Sequence, residues 1–61
     1  MQVTIDANGV EELIYEMDIP PRKNEIVRLK GDVYNVVEVI WRETADGSGL
    51  EPVVELHRSS L

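Results

Sequence analysis

Short runs of valine and isoleucine recur along this chain, and each run is bounded by asparagine, glycine, proline or charged residues. Valine and isoleucine supply 14 of the 61 residues, whereas alanine supplies only two. Side chains branched at Cβ suit the pleated surface of a β-sheet and lose rotamer freedom in a helix. The pattern therefore predicts an all-β fold made of short strands.

Alternation of polar and apolar residues predicts five strands. They cover residues 2–6, 10–18, 25–30, 33–42 and 53–58. Asn8-Gly9 and Gly31-Asp32 are predicted hairpin turns, because glycine and asparagine accept the positive φ that such turns need. The fourth strand is apolar on both faces, as strands that bend in small barrels are. We expect one domain over residues 1–61, a small five-stranded SH3-like barrel or a strongly coiled antiparallel sheet.

The same alternation predicts which residues form the core, with Trp41 as the largest of them. The inward set is Val3, Ile5, Val27, Leu29, Val37, Val39, Trp41, Val54 and Leu56. Tyr34, Val36 and Ile40 are predicted to face outward on the fourth strand, and Val53 on the fifth.

The segment from residue 10 to 18 fits two interpretations. Val10, Leu13, Ile14 and Met17 have helical spacing, whereas alternate residues from Leu13 onward fit a strand. We favour the strand, because a hairpin turn precedes it and about nine residues make a short helix without support. The alternative fold is α+β, with a short helix at about residues 10–18.

Several classes of function receive little support from the composition. The chain has no cysteine and one histidine, so thiol nucleophiles, thiolate metal sites and histidine-rich catalytic clusters are not expected. We predict a non-enzymatic protein without a metal or other cofactor. No apolar run has the roughly 18 residues of a membrane span, and no signal peptide is recognisable, so we expect a cytoplasmic protein. A net charge of −6 makes binding to nucleic acid an unexpected function.

Charge is distributed unevenly along the chain. Residues 1–21 hold five carboxylates and no cation, whereas residues 22–30 have a net charge of +3. Opposite fields of this kind favour either self-complementary association or capture of an anion. The predicted site for a small anionic ligand or nucleotide consists of Arg22, Lys23, Arg28 and Lys30.

Apolar residues predicted to face outward form a candidate protein interface. They are Ile14, Ile26, Tyr34, Ile40 and Val53. A chain of this size buries barely enough apolar surface to offset its conformational entropy, so we expect a homo-oligomer.

The segment from Ile19 to Trp41 resembles a pattern found in small uncharacterised bacteriophage and prophage proteins. The shared features are a proline, a short turn, a strand, a glycine turn and Tyr-x-Val-x-x-Val-x-Trp, here Tyr34 to Trp41. The resemblance covers about a third of the chain and implies a small β-barrel with no catalytic residue.

The function that we predict is that of an interaction module. Such a protein would associate with itself and bind a protein partner, and the resemblance adds that it could be a phage accessory protein that acts on a host factor. The alternatives are the anion-binding protein described above and an acidic mimic of DNA.

Overall fold

The computed structural model describes residues 1–7 and 11–59, with only the backbone of Glu11, and all regular elements of this part are β-strands. The strands are β1 (Gln2–Ala7), β2 (Glu11–Glu16), β3 (Ile26–Leu29), β4 (Asp32–Glu43) and β5 (Leu50–Arg58). The predicted turn at Asn8-Gly9 lies outside the described residues.

The five strands form one sheet that curls into a half-barrel. Their order is β2-β1-β5-β4-β3, so β2 and β3 are the two edge strands. This confirms the predicted small, barrel-like all-β fold. Neighbouring strands are antiparallel except for β1 and β5, which are parallel. The expected antiparallel pairing holds at the other three pairs; β1 and β5 depart from it because β5 runs opposite to β4 and is inserted beside β1.

One face of the sheet, the core face, carries the apolar core. Five side chains at its centre are at most 1% exposed: Val3, Ile5, Val36, Val54 and Leu56. Half-buried apolar side chains pack around them: Leu13, Tyr15, Met17, Val27, Leu29, Tyr34 and Val39. Residues 17–25 connect one edge of the sheet to the other. Because Met17 packs on the core and Pro20 lies beside Val39, this connection crosses the core face and covers it.

The opposite face, called the second face here, carries an apolar row that crosses four strands. Thr4 lies opposite both Ile14 and Val53, and Val53 lies opposite Ile40. The two inner members are buried, with Thr4 3% and Val53 7% exposed. The prediction that Val53 faces solvent is therefore wrong, because strands on both sides cover a residue of β5.

The structure shows that the ambiguous segment is a strand. β2 begins at Glu11 and pairs with β1 in register from Gln2 opposite Glu16. Leu13 and Tyr15 lie on the core face, and Ile14 is 67% exposed, as strand alternation predicts. The α+β alternative is wrong, because pairing with β1 supplies the backbone hydrogen bonds that a short helix would need to form alone.

A β-bulge in β4 changes which residues face the core. Val36 lies opposite Leu56 and Glu38 opposite Glu55, so Val37 is an additional residue on β4. Before the bulge the even-numbered residues face the core, and after it the odd-numbered ones do. The prediction of an outward Val36 and Tyr34 is therefore wrong: Val36 is 1% exposed, and Tyr34 is half-buried against the core.

The β3–β4 hairpin has its turn one residue earlier than predicted. Leu29 lies opposite Asp32, so the turn consists of Lys30 and Gly31, and Asp32 already belongs to β4. Both turn residues have positive φ, 51° at Lys30 and 85° at Gly31. This is the geometry of a type I′ turn, whose twist matches that of the strands.

Candidate protein-binding groove

Trp41 lies on the core face but is not part of the core. It is 50% exposed, because β4 and β5 extend past the buried cluster and end in the loop at residues 44–49. The prediction of a buried Trp41 is wrong for this reason. Trp41 lies opposite Pro52, and Leu50, which is 65% exposed, is its diagonal neighbour on the same face.

A groove of about 390 Å³ separates this tryptophan from the connection between β2 and β3. One wall is formed by Val39 and Trp41 of β4, with Glu38 at the rim. The other wall is formed by Ile19, Pro20, Pro21, Arg22 and Lys23. Two successive prolines restrict the backbone of this wall, so the groove has little conformational freedom to lose on binding.

Hydrogen bonds hold the cationic end of that wall in place. The Glu25 N–H donates to the Arg22 carbonyl at 3.0 Å, and the Arg22 N–H donates to the Glu25 carboxylate. Asn24 occupies the position of positive φ, at 76°. Its N–H donates to the Val36 carbonyl at 2.8 Å, which fixes the turn to β4. Arg22 and Lys23 are thus exposed on a fixed turn.

The four cations of the predicted anion site occupy three separate places. Arg22 and Lys23 share the groove, whereas Lys30 lies at the far end of β3, beyond a strand about 10 Å long. Arg28 is exposed on the second face, opposite Val33 on β4. Only the first pair therefore shares a concave surface.

The predicted apolar interface is divided in a similar way. Ile14 is 67%, Ile26 65% and Ile40 46% exposed on the second face, as predicted. Val53 leaves the set because it is buried, and Tyr34 because it is half-buried on the core face. Sequence reasoning missed Ile19 and Leu50, which are more than half exposed near Trp41. The sequence signal for that cluster was Trp41 itself, a residue type common in binding hot spots, because its neighbour Arg42 lies on the second face.

Carboxylates form a row on the second face beside the apolar one. Asp6 lies opposite both Glu12 and Glu55, and Glu55 lies opposite Glu38. Like charges in directly opposed positions destabilise a sheet. The DNA-mimic hypothesis stays a prediction, and Arg28 and Arg42 place cations on this same face.

Arg42 partly compensates the negative charge of this carboxylate row. Its guanidinium contacts the Glu12 carboxylate at 3.4 Å and that of Glu51 at 3.3 Å. Hydrogen bonds to Glu12 and then to Glu51 raise the pKa of Arg42 above its usual value. Because Glu12 is on β2 and Arg42 on β4, this contact spans the face above Thr4 and Val53 and helps to cover them.

The loop between β4 and β5 is organised around Asp46. Its Oδ1 accepts hydrogen bonds from the Thr44 hydroxyl at 2.7 Å, the Ser48 hydroxyl at 2.7 Å and the Ser48 N–H at 3.0 Å. These donors, led by the Ser48 N–H, lower the pKa of Asp46 to about 2. The arrangement closes the loop, since all three donors belong to the loop itself.

Two other kinds of functional site receive no support from the described residues. These residues contain no group of three histidine, aspartate or glutamate side chains placed to hold a metal ion. Residues 1–7 and 11–59 also include no helix of the length and hydrophobicity that a membrane span requires. No protein family, curated protein or solved structure matches this chain significantly. The resemblance to phage proteins therefore stays a prediction.

Proposed function

We propose that this protein is a peptide-binding module, and that the groove beside Trp41 receives an extended protein segment with an apolar residue next to an acidic one. The observation that carries the proposal is the half-exposed tryptophan facing a proline-rich wall across a groove. Tryptophan is the residue most enriched in binding hot spots, and it is costly to leave in water.

The exposed area of Trp41 determines how much free energy a partner gains by covering it. A fully covered tryptophan buries roughly 150–250 Å², so a half-exposed one leaves about 100 Å² for a partner. At about 25 cal/mol per Å², covering it contributes about 2.5 kcal/mol. Ile19 and Leu50 add apolar surface on either side, and both are more exposed than Trp41.

The charges at the groove favour an acidic partner. Arg22 and Lys23 lie together at one end of the wall, and Glu38 lies at the rim. An acidic side chain of a bound segment gains a charge-assisted hydrogen bond to Arg22 or Lys23 and avoids the second face, where carboxylates predominate. The proposed partner is thus an acidic protein segment rather than a basic one.

A displayed library of random dodecapeptides tests the proposal even though the partner is unidentified. We expect selected peptides to share an acidic residue next to a large apolar one. Trp41→Ala should weaken binding of such a peptide 10- to 100-fold in calorimetry. Ile40→Ala is the matched control: Ile40 is the adjacent residue, is 46% exposed and lies on the second face. It should bind the peptide as the parent does.

Arg22→Glu tests whether charge at the groove contributes to peptide binding. Arg22→Glu should lower the affinity for the peptide more at low salt than at high salt, because salt screens interactions between exposed charges. Two results would reject the proposal: no enriched peptide, or equal binding by the parent and Trp41→Ala. Heat on titration with inorganic phosphate or a nucleotide, without peptide enrichment, would instead support the anion-binding alternative.

A further inference from the structure

We infer that two copies of this chain associate through their edge strands, with β3 of each copy pairing with β2 of the other. The inference concerns the edges of the sheet and is independent of the groove beside Trp41. It predicts a symmetric dimer in which two half-barrels close into a single ten-stranded barrel.

The outer sides of both edge strands are open among the described residues. β2 pairs only with β1, and β3 only with β4. Unpaired strand edges are templates for pairing with another chain, and proteins commonly protect them. Here the connection at residues 17–25 crosses the core face and pairs with neither outer edge.

The directions of the strands allow the closure. β2 is antiparallel to β1. β5 is parallel to β1, β4 is antiparallel to β5, and β3 is antiparallel to β4. β3 therefore runs parallel to β1. A two-fold axis along the barrel keeps every strand direction. It therefore places β3 antiparallel to the partner's β2 at both seams, which closes the assembly and leaves no edge for further growth.

The outward backbone groups of the two edges also match. Met1 and Met17 exchange two backbone hydrogen bonds, so alternation leaves the N–H and C=O of Glu12 and Ile14 pointing away from β1. On β3, Leu29 and Asp32 form the hydrogen-bonded pair that closes the hairpin. By the same alternation, the N–H and C=O groups of Ile26 and Arg28 point away from β4. All four of these side chains lie on the second face, so pairing keeps the faces of the two sheets continuous.

One register satisfies both the apolar and the charged side chains. It places Ile26 opposite the partner's Ile14 and Arg28 opposite the partner's Glu12. The two isoleucines are 65% and 67% exposed in the single chain. Arg28 is exposed and makes no hydrogen bond or ion pair with any described residue. On the core face the register brings the half-buried Val27 against the partner's Leu13.

Charge distinguishes this seam from the other symmetric ones. Residues 11–18 have four carboxylates and no cation, whereas residues 22–30 have a net charge of +3. A β2–β2 seam centred on Ile14 would place Glu12 opposite Glu16, and a β3–β3 seam would join two cationic segments. Like charges in opposed positions disfavour both, and opposite charges favour β3 against β2.

Complementary charge reversals test the seam. Arg28→Glu places two carboxylates at each seam, and Glu12→Arg places two cations there, so each variant alone should be a monomer in sedimentation equilibrium near 6.9 kDa. In an equimolar mixture, each mixed dimer has a carboxylate opposite a cation at both seams, so the mass should return toward twice that value. The Glu12→Arg chain lacks the contact with Arg42 both alone and in the mixture. Loss of that contact therefore cannot explain a recovery of mass on mixing.

Two controls separate this result from other causes. Ala45→Glu adds a carboxylate in the loop at residues 44–49, remote from both edges, and should remain a dimer. Trp41→Ala should also remain a dimer, which separates failure of the groove proposal from failure of this one. A monomeric parent at micromolar concentration, or a mixture that stays monomeric while both variants are folded by circular dichroism, would overturn the inference.

Discussion

The middle of the sheet and its edges differ in how they are buried. On β1 and β5, side chains are buried on both faces: Val3 and Val54 are fully covered on the core face, and Thr4 and Val53 are nearly so on the second face. On β2 and β3, none of the described side chains is fully buried, and Ile14 and Ile26 are about two-thirds exposed.

This difference follows from the strand order rather than from composition. β5 is the last strand in sequence, yet it occupies the centre of the sheet between β1 and β4. A parallel pair such as β1–β5 is usually covered on both faces, and here it joins strands from opposite ends of the described sequence. The edges are apolar but incompletely covered. The middle strands therefore hold most of the fully buried apolar side chains, and the edge strands leave apolar surface exposed.

The largest expected effect separates the two regions by truncating one leucine in each. Leu56 of β5 is 0% exposed, so Leu56→Ala should cost about 2–5 kcal/mol through lost burial and a residual cavity. A domain of this size has only about 3–5 kcal/mol of stability, so most of the protein should unfold. Leu29→Ala in β3 should cost about 1 kcal/mol, because Leu29 is only partly buried and leaves no closed cavity.

Urea denaturation followed by circular dichroism measures both variants. It should be done on the Arg28→Glu background, which we expect to be monomeric, so that association does not add to the apparent stability. Equal losses at the two positions would contradict the division into a stable middle and a weakly buried edge.

Much of this division could be predicted from alternation alone. Alternation correctly placed Val3 and Ile5 of β1 and Val54 and Leu56 of β5 in the core. It also identified β2 as a strand with an exposed Ile14. These predictions depend on local spacing, which the period of a strand determines without reference to the rest of the fold.

Predictions that depended on distant strands failed. The bulge at Val37 has no sequence signal, because Val36 and Val37 are the same residue type, and its location depends on pairing with β5. Val53 is buried because β5 lies in the middle of the sheet. Trp41 is exposed because β4 extends past the end of the buried core. The groove was missed for the same reason, since residues about 20 positions apart in sequence form its two walls.

A second prediction concerns how the edge strand β3 is attached. Gly31 has a φ of 85° in the hairpin turn, and a Cβ there meets no atom within 4 Å. Gly31→Ala should therefore cost about 1 kcal/mol from backbone strain alone. Gly49→Ala is the matched control, because it has the same free space without a positive φ. It should be neutral or slightly stabilising.

Amide hydrogen exchange shows where that strain acts. Gly31→Ala should accelerate exchange in β3 while the amides of β1 and β5 keep their protection, since edges open more readily than the middle. Acceleration throughout the sheet would mean that the edge and the middle unfold as one unit.

A third prediction concerns the carboxylate row that crosses the middle strands. Glu55 lies opposite both Asp6 and Glu38. Glu55→Gln should raise the free energy of unfolding by about 0.5 kcal/mol, by removing two repulsive pairs while keeping the shape of the side chain. The gain should shrink between low and high salt, because the charges are near the surface. Glu43→Gln, opposite Leu50, changes the same charge outside the row and should leave stability nearly unchanged. Equal gains from both would assign the effect to net charge.

The smallest expected effect lies at the end of the sheet, where the loop around Asp46 joins β4 to β5. The pKa of Asp46 is lowered from 3.8 to about 2, so ionisation of this carboxyl favours the folded state. This contribution is fully present above about pH 4 and is lost as the pH falls toward 2. Asp46→Asn should therefore be less stable than the parent at neutral pH, and the difference should shrink on acidification. Thr44→Val removes the 2.7 Å hydroxyl donor and should raise the pKa of Asp46 toward its ordinary value in an NMR titration. An unchanged titration midpoint would mean that the Ser48 donors alone hold this carboxylate, and the end of the sheet would then not depend on Thr44.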